Sequence, residues 1–499
     1  MPTWAPKDRF QLSIVGRLLS QTGFSFLPVI ATVVLTILVA IFCGGPILFP
    51  DSVGYFHAGF SAWSHLVAVI NPVHGAVSSL AAEEQDGIST ARSVYYGLLY
   101  TGAYSAAGQW GLPVLQSILC GVAISLSLNR AGAAEAWRIS AMAIFIALVA
   151  GLSIFCAAAM PDVFAGLMLL GVAMILTYSQ AMGWLEYIFW LGLVFAACLF
   201  HRGHVAVLAV ALAVLQFVTL GKKTRQIFIL AGVVAVAVMA HIAVEVVVKD
   251  LSGRRPIQTP FLLARFVGDG TAKDFLQARC PEKRYELCRY ANLMPMSENQ
   301  FLWGDANRSV MGAANKAERE RIAAEAPEIE RGIVRMFPVR QSILAVKNIV
   351  TQFFDVGVRS YELGPTLDED KPVTPLHQTI AQYVRRHVDQ ANTLLNVESS
   401  VIAAAYWIAL FFCAAAILMR KASYSEQPEL QLVVILLIGL VANAMVFGAI
   451  SGVFDRYQGR LAWLPLLGLA MLLMRRETTV AAYPANSFTE IGNKRIEVR

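Results

Sequence analysis

The chain has 499 residues, of which 57% are hydrophobic and only 15% charged, with a mean hydropathy of +0.58. Several uninterrupted apolar runs of membrane length follow one another, which excludes an ordinary soluble globular protein and predicts a polytopic integral membrane protein. The formal charge of +6 falls largely in turns beside those runs and carries no nucleic-acid motif, so the expectation is basic inner turns and no nucleic-acid partner.

A basic front with Lys7, Arg9 and Arg17 leads into a first charge-free run from about Phe24 to Cys43. No small-x-small pattern ends it, so it reads as a retained anchor instead of a cleaved signal peptide. Pro50-Asp51-Ser52-Val53-Gly54-Tyr55 follows, which places Asp51 where the chain leaves the membrane, as a wet loop residue or the start of a site. Phe56 to Leu80, with Phe60, Trp63, Leu66, Val67 and Ile70, suits an interfacial amphipathic helix broken at Asn71-Pro72. Arg92 to Tyr104 is rich in tyrosine and predicts a headgroup-level anchor or a second surface helix.

Span 2 is expected from about Leu112 to Leu128, ending at Arg130, and span 3 from about Ile139 to Ala159, returning to the outer side at Met160-Pro161-Asp162. Spans 4 (Val163 to Tyr178) and 5 (Tyr187 to Phe200) are joined by a turn without Lys or Arg, so a shallow re-entrant pair is the alternative there. His201-Arg202-Gly203-His204 then emerges outside, before span 6 (Val205 to Leu220), the basic turn Gly221-Lys222-Lys223-Thr224-Arg225 and span 7 (Ile227 to Val248). With the N-terminus inside, odd spans exit and even spans enter, and the basic turns fall on the inner side.

That parity puts the long polar region after span 7 outside. Within it, Asn315 to Val334 reads as a charged surface helix. Ile343 to Phe354 is apolar enough to rest against the bilayer, and Asp355-Val356-Gly357 ends it. Cys280 and Cys288 flank a polar septet, as a short disulfide or as two free thiols, while the other five cysteines lie in or beside apolar spans as small buried hydrophobes. Spans 8 (Val401 to Met419), 9 (Leu430 to Ile450) and 10 (Leu461 to Met474) follow, with Lys421, Arg475 and Arg476 as inner stops. The predicted fold is therefore an all-α bundle of about ten transmembrane helices with an outer soluble region. Its parts are an N-terminal membrane module at 1–248, the outer region at 249–399, a C-terminal membrane module at 400–476 and a cytoplasmic tail at 477–499.

Asp51, Asp162, His201, Arg202, His204, Asp455, Arg456 and Arg460 all fall at outer ends of spans. Any one of them alone can be a snorkelling anchor. As one pool of carboxylates and cations on one face, they suit binding a phosphate-bearing lipid and activating a polar acceptor. Asp51, Asp162 and His201 are also candidate ligands for a divalent cation, although a His-x-x-His with Arg202 inside it is a weak metal signal. No Walker or dinucleotide fingerprint is present, which argues against a nucleotide-driven pump.

With Asp51 directly after the first span, a second outer acid at Asp162, a histidine-bearing turn at His201–His204 and Arg456-Tyr457 before a late span, the chain resembles the GT-C superfamily of membrane glycosyltransferases. It is most similar to the bacterial branch with lipid A aminoarabinose transferases and protein O-mannosyltransferases. The first motif is Asp-Ser, where better-known members carry Asp-Glu or Asp-x-Asp. The resemblance implies a polyprenyl-phosphate sugar donor, a lipid, glycan or protein acceptor of the cell envelope, and an inner-membrane location with both termini cytoplasmic. It assigns Asp51 as acceptor-activating base, Asp162 as a positioning carboxylate or metal ligand, and His201, Arg456 and Arg460 as partners of the departing phosphate. Tyr55, Arg92, His204 and Tyr457 are supporting residues. The rival readings are a transporter or flippase of lipid-linked saccharides and a non-catalytic envelope assembly protein.

Overall fold

A computed structural model describes residues 26–70, 92–133, 135–219, 221–252, 258–304, 308–362, 375–420 and 427–474. The basic N-terminal front, the break at Asn71-Pro72, the inner stops Lys421, Arg475 and Arg476 and the predicted tail lie outside them. The described chain is all helical, and its single backbone bridge joins Ile47 to Ala158. Four helices are long and apolar enough to cross a membrane, namely Val94–Arg130, Thr224–Asp250, Asp389–Met419 and Pro428–Ile450. Five further apolar helices have 10–17 residues, shorter than the roughly 20 residues that span a hydrocarbon core without help.

In chain order the bundle begins with α1 (Leu27–Phe42) and α2 (Pro50–Ile70), followed by α3 (Val94–Ala107) and, after one 3₁₀ turn, α4 (Gly111–Arg130). Next come α5 (Ala136–Val149), α6 (Leu152–Ala157), α7 (Asp162–Tyr178), α8 (Trp184–Phe200), α9 (Arg202–Val218) and α10 (Thr224–Ser252). The expected single span from Ile139 to Ala159 is in fact broken, because Gly151 takes a left-handed φ of 65° that separates α5 from α6. The expected interfacial helix starts earlier than Phe56. Pro50 and Asp51 form its first turn, where a proline needs no partner and a carboxylate meets the positive end of the helix dipole. Helices α2 and α3 pack backbone to backbone, since a Cβ on Gly59 would lie 2.0 Å from the Gly97 carbonyl.

Helix α7 is the axis of the bundle, buried along almost its whole length. Helix α10 is its opposite: 17% of its apolar window is buried, as expected of a helix facing lipid on most sides. The bundle has two distinct ends. At one, Arg130 closing α4 pairs with Glu186 on α8 and donates to the Ala181 carbonyl, and Gln226 on α10 donates to Ser179. The turn between α7 and α8 thus shares an end with Arg130 and with the basic turn at Lys222. At the other end, the bridge from Ile47 to Ala158 lays the loop before Asp51 beside the loop before Asp162.

The outer region contains α11 (Phe261–Gly268), α12 (Thr271–Arg279), α13 (Glu298–Trp303), α14 (Val310–Ala313), α15 (Lys316–Met336) and α16 (Pro338–Phe354). It has a core of its own, with Leu263, Phe275, Phe301, Ile322, Ile329 and Ile333. Asn315 stands outside α15 as its cap, in a reciprocal box with Glu318. Cys280 and Cys288 form a disulfide. The remaining helices are α17 (Pro375–Met419), α18 (Pro428–Ile450), α19 (Asp455–Gly459) and α20 (Trp463–Met474). Tyr178 donates to Glu429, which places the start of α18 at the Arg130 end and Asp455 to Arg460 at the other.

Candidate functional site

The site is built where three loops converge at the Asp162 end of the bundle. Asp162 opens α7 and is 3% exposed. Arg460 Nη1 donates to its Oδ1 at 2.8 Å, and the Tyr361 hydroxyl donates to its Oδ2 at 2.6 Å. These partners are 298 and 199 residues away in sequence. Both carboxylate oxygens are therefore engaged, and Asp162 serves as a fixed anchor, not as a free base.

Arg460 was expected to meet a phosphate, and the geometry corrects this. Its side chain is 1% exposed, Nη2 donates to Asn443 at 3.1 Å, and the Phe447 ring covers it at 4.4 Å. Both terminal nitrogens are thus engaged by a carboxylate and an amide, and only the buried Nε is left without a partner among the described residues. Arg456 is different. It is 6% exposed, yet its Nε and Nη1 have no hydrogen-bond partner among the described residues. Four rings surround it: Phe49 at 4.2 Å, Tyr457 at 5.3 Å, Tyr361 at 5.7 Å and Phe454 at 5.8 Å. Cation–π contacts compensate part of the desolvation of the charge, but unmade N–H donors in such a place are costly unless something accepts them.

Asp51 sits at the rim, paired with Arg92, and its side chain is 20% exposed. Arg92 also lies over Tyr55 at 5.9 Å and over Trp303 of the outer region at 5.4 Å. Tyr55 is itself buried, edge-on to Tyr96, and lies within electrostatic reach of Asp51, Arg92, Asp162 and Arg456 at once. Arg456 is likewise within electrostatic reach of both Pro-Asp acids.

The histidines depart from their expected roles. His201 caps α9, its Nδ1 accepting from the Gly203 amide at 3.0 Å. Burial first, then the nearby positive Arg460, hold this outer-turn imidazole far below its ordinary pKa, so it is neutral and brings no charge to a phosphate. His204 is buried and paired through Nδ1 with the Ala197 carbonyl. Arg202 turns away to Glu245. Asp455 serves as a backbone clamp, accepting from the amides of Arg359 at 2.7 Å and Ser360 at 3.0 Å. That clamp holds the 3₁₀ turn Arg359–Tyr361 in place. Of the candidate cation ligands, Asp51 pairs with Arg92 through Oδ1, Asp162 is bound by Arg460 and Tyr361, and His201 Nδ1 accepts from Gly203. No group of three metal-type ligands occurs among the described residues.

Sequence reasoning missed Phe49, Tyr361, Asn443 and Trp303. Tyr361 and Trp303 belong to the polar outer region, where no periodicity singles out one aromatic. Asn443 lies inside a span of otherwise apolar pattern and is 1% exposed, and an amide within a membrane-length run is a signal that was available. No protein-family model, no curated protein and no solved structure matches the chain.

Proposed function

We propose that the chain is a GT-C-like membrane glycosyltransferase that takes a sugar from a polyprenyl-phosphate carrier and passes it to an envelope lipid, glycan or protein acceptor. The observation that carries this reading is Arg456: a desolvated guanidinium with two unmade N–H donors, ringed by aromatics and within electrostatic reach of the rim carboxylate Asp51. A guanidinium with unmade donors suits the oxygens of a phosphate group. The aromatic wall accepts the apolar start of a lipid tail beside it.

In this reading Asp51, the accessible acid, takes the proton of the acceptor hydroxyl as the new bond to the anomeric carbon forms. The bond from that carbon to the phosphate oxygen breaks, and the electron pair leaves with the phosphate, whose charge Arg456 stabilises. Arg92 orients Asp51 through their ion pair. Asp162 acts through others, holding Tyr361 and Arg460 so that Arg456 keeps its place. The proposal includes about ten crossings, with α1, α5, α7, α8, α9 and α20 crossing by partnership with longer neighbours. It also includes an outward-facing site in a bacterial inner membrane with the termini inside. The disulfide supports an oxidising compartment for the outer region. A flippase would use the same Arg456 cage but has no role for a base at Asp51.

The test is equilibrium binding of a short-chain polyprenyl phosphate to the purified chain in nanodiscs. Arg456→Gln should abolish measurable binding, and Arg456→Lys should weaken it because a point charge replaces the fork. Parent-like binding in folded Arg456→Gln protein would end the assignment.

A further inference from the structure

Helix α16 has its polarity inverted relative to the protein it packs on. Its inner edge is rich in amides: Gln341 meets Thr271 and Asp269, Asn348 meets Asp269, and Gln352 both donates to the Phe454 carbonyl and accepts from the Phe454 amide. Its outer face carries Val339, Ile343, Val346, Val350 and Phe354, between 50% and 71% exposed. Their spacing of four, three, four and four residues forms one continuous helical stripe. In a water-facing helix the two edges would be exchanged, so the stripe calls for an apolar medium.

The surroundings identify that medium. Phe354 stacks on Trp407 of α17, with ring centroids 4.9 Å apart and planes 20° apart, and Ile408, Phe411 and Phe412 continue the exposed apolar surface along that membrane-length helix. On its other side α16 crosses α18 so closely that a Cβ on Gly448 would lie 2.7 Å from the Asn348 carbonyl oxygen. The stripe is thus continuous with the exposed apolar side of α17, a helix of membrane-crossing length. Exposed Lys347 stands within it, where a long cationic side chain reaches toward headgroup phosphates.

We propose that α16 is a bilayer-seated helix of the outer region, with its Val339 to Phe354 stripe lying among the lipid acyl chains of the leaflet at the Asp162 end. The partner is the bilayer itself and not a second copy of the chain. This rests on the helix and its neighbours and stands whether or not the transferase reading does.

The test uses the full chain in nanodiscs with single cysteines at positions 343, 346 and 350, each carrying a bimane label. The native free cysteines are buried and the other two are bonded to each other, so labelling is selective. A label at Ile408 serves as the lipid-facing reference and one at Glu320 on α15 as the water-facing reference. Quenching by brominated phospholipid at 343, 346 and 350 that matches Ile408, with little quenching by aqueous iodide, is the expected result. Quenching by iodide to the level seen at Glu320 would overturn the proposal. Protection from both quenchers would overturn it as well, by showing that protein covers the stripe.

Discussion

Asp162→Asn isolates what the buried acid does. Asparagine keeps the shape, can still accept from Arg460 and can turn its amide toward Tyr361, so the hydrogen bonds largely survive and the negative charge is what disappears. Arg460 is then a full positive charge at 1% side-chain exposure with Asn443 as its remaining partner. Removing one member of a buried ion pair costs about 3–5 kcal/mol, because the other is left uncompensated. Tyr361→Phe provides the comparison: it removes one hydrogen bond to a charged acceptor, a loss of about 1.5–3 kcal/mol. The charge effect should therefore exceed the hydrogen-bond effect. The assay is unfolding in nanodiscs followed by a thiol-reactive dye, which reports on the five buried cysteines. The double variant Asp162→Asn/Arg460→Met should recover much of the loss, since it removes the orphaned charge. A single variant within about 0.5 kcal/mol of the parent, or a double variant whose cost is the sum of the singles, would refute the buried-pair account.

Tyr361→Phe should also weaken phosphate binding, because the lost hydroxyl bond to Asp162 is what holds the Tyr361 ring in the Arg456 cage; titration with polyprenyl phosphate measures this. Arg92→Gln should leave Asp51 without the partner that holds it and lower the transfer rate, which steady-state rates of the purified variant would show. Asp355, between α16 and the clamp, has a pKa raised first by burial and then by the negative Asp455. The folded state therefore binds its proton more tightly than the unfolded chain does, so ionised Asp355 opposes folding, and that penalty is relieved as pH falls through the raised value. Asp355→Asn should thus stabilise the protein at neutral pH, with the gain vanishing below the usual carboxylate range.

Much of the helical plan was legible because long apolar runs and charged turns carry their own periodicity. Span 9 begins within two residues of α18, and α15 begins one residue after its predicted start at Asn315. The break at Gly151 was not legible, since a glycine inside an apolar run can be a packing contact as easily as a left-handed turn. The site was half legible. Asp51, Asp162 and Arg456 stand out as ionisable groups at ends of apolar runs, and a shared side is a topological inference. Which arginine has both terminal nitrogens engaged and which keeps Nη1 unmade depends on Asp162 and Asn443 arriving from distant segments, and neither residue's spacing announces it. The opposite fates of Arg456 and Arg460, four residues apart, show the limit: both sit on one short turn, and only packing distinguishes them.

The most direct test of the central claim is sugar transfer by the purified chain from a panel of polyprenyl-phosphate sugars, comparing parent with Asp51→Asn in nanodiscs. Asparagine preserves the volume and a contact to Arg92 but removes the proton acceptor, so the account predicts transfer by the parent and a rate lower by roughly 100-fold to 10,000-fold in the variant, with polyprenyl-phosphate binding retained. Full transfer activity in folded Asp51→Asn protein would contradict it.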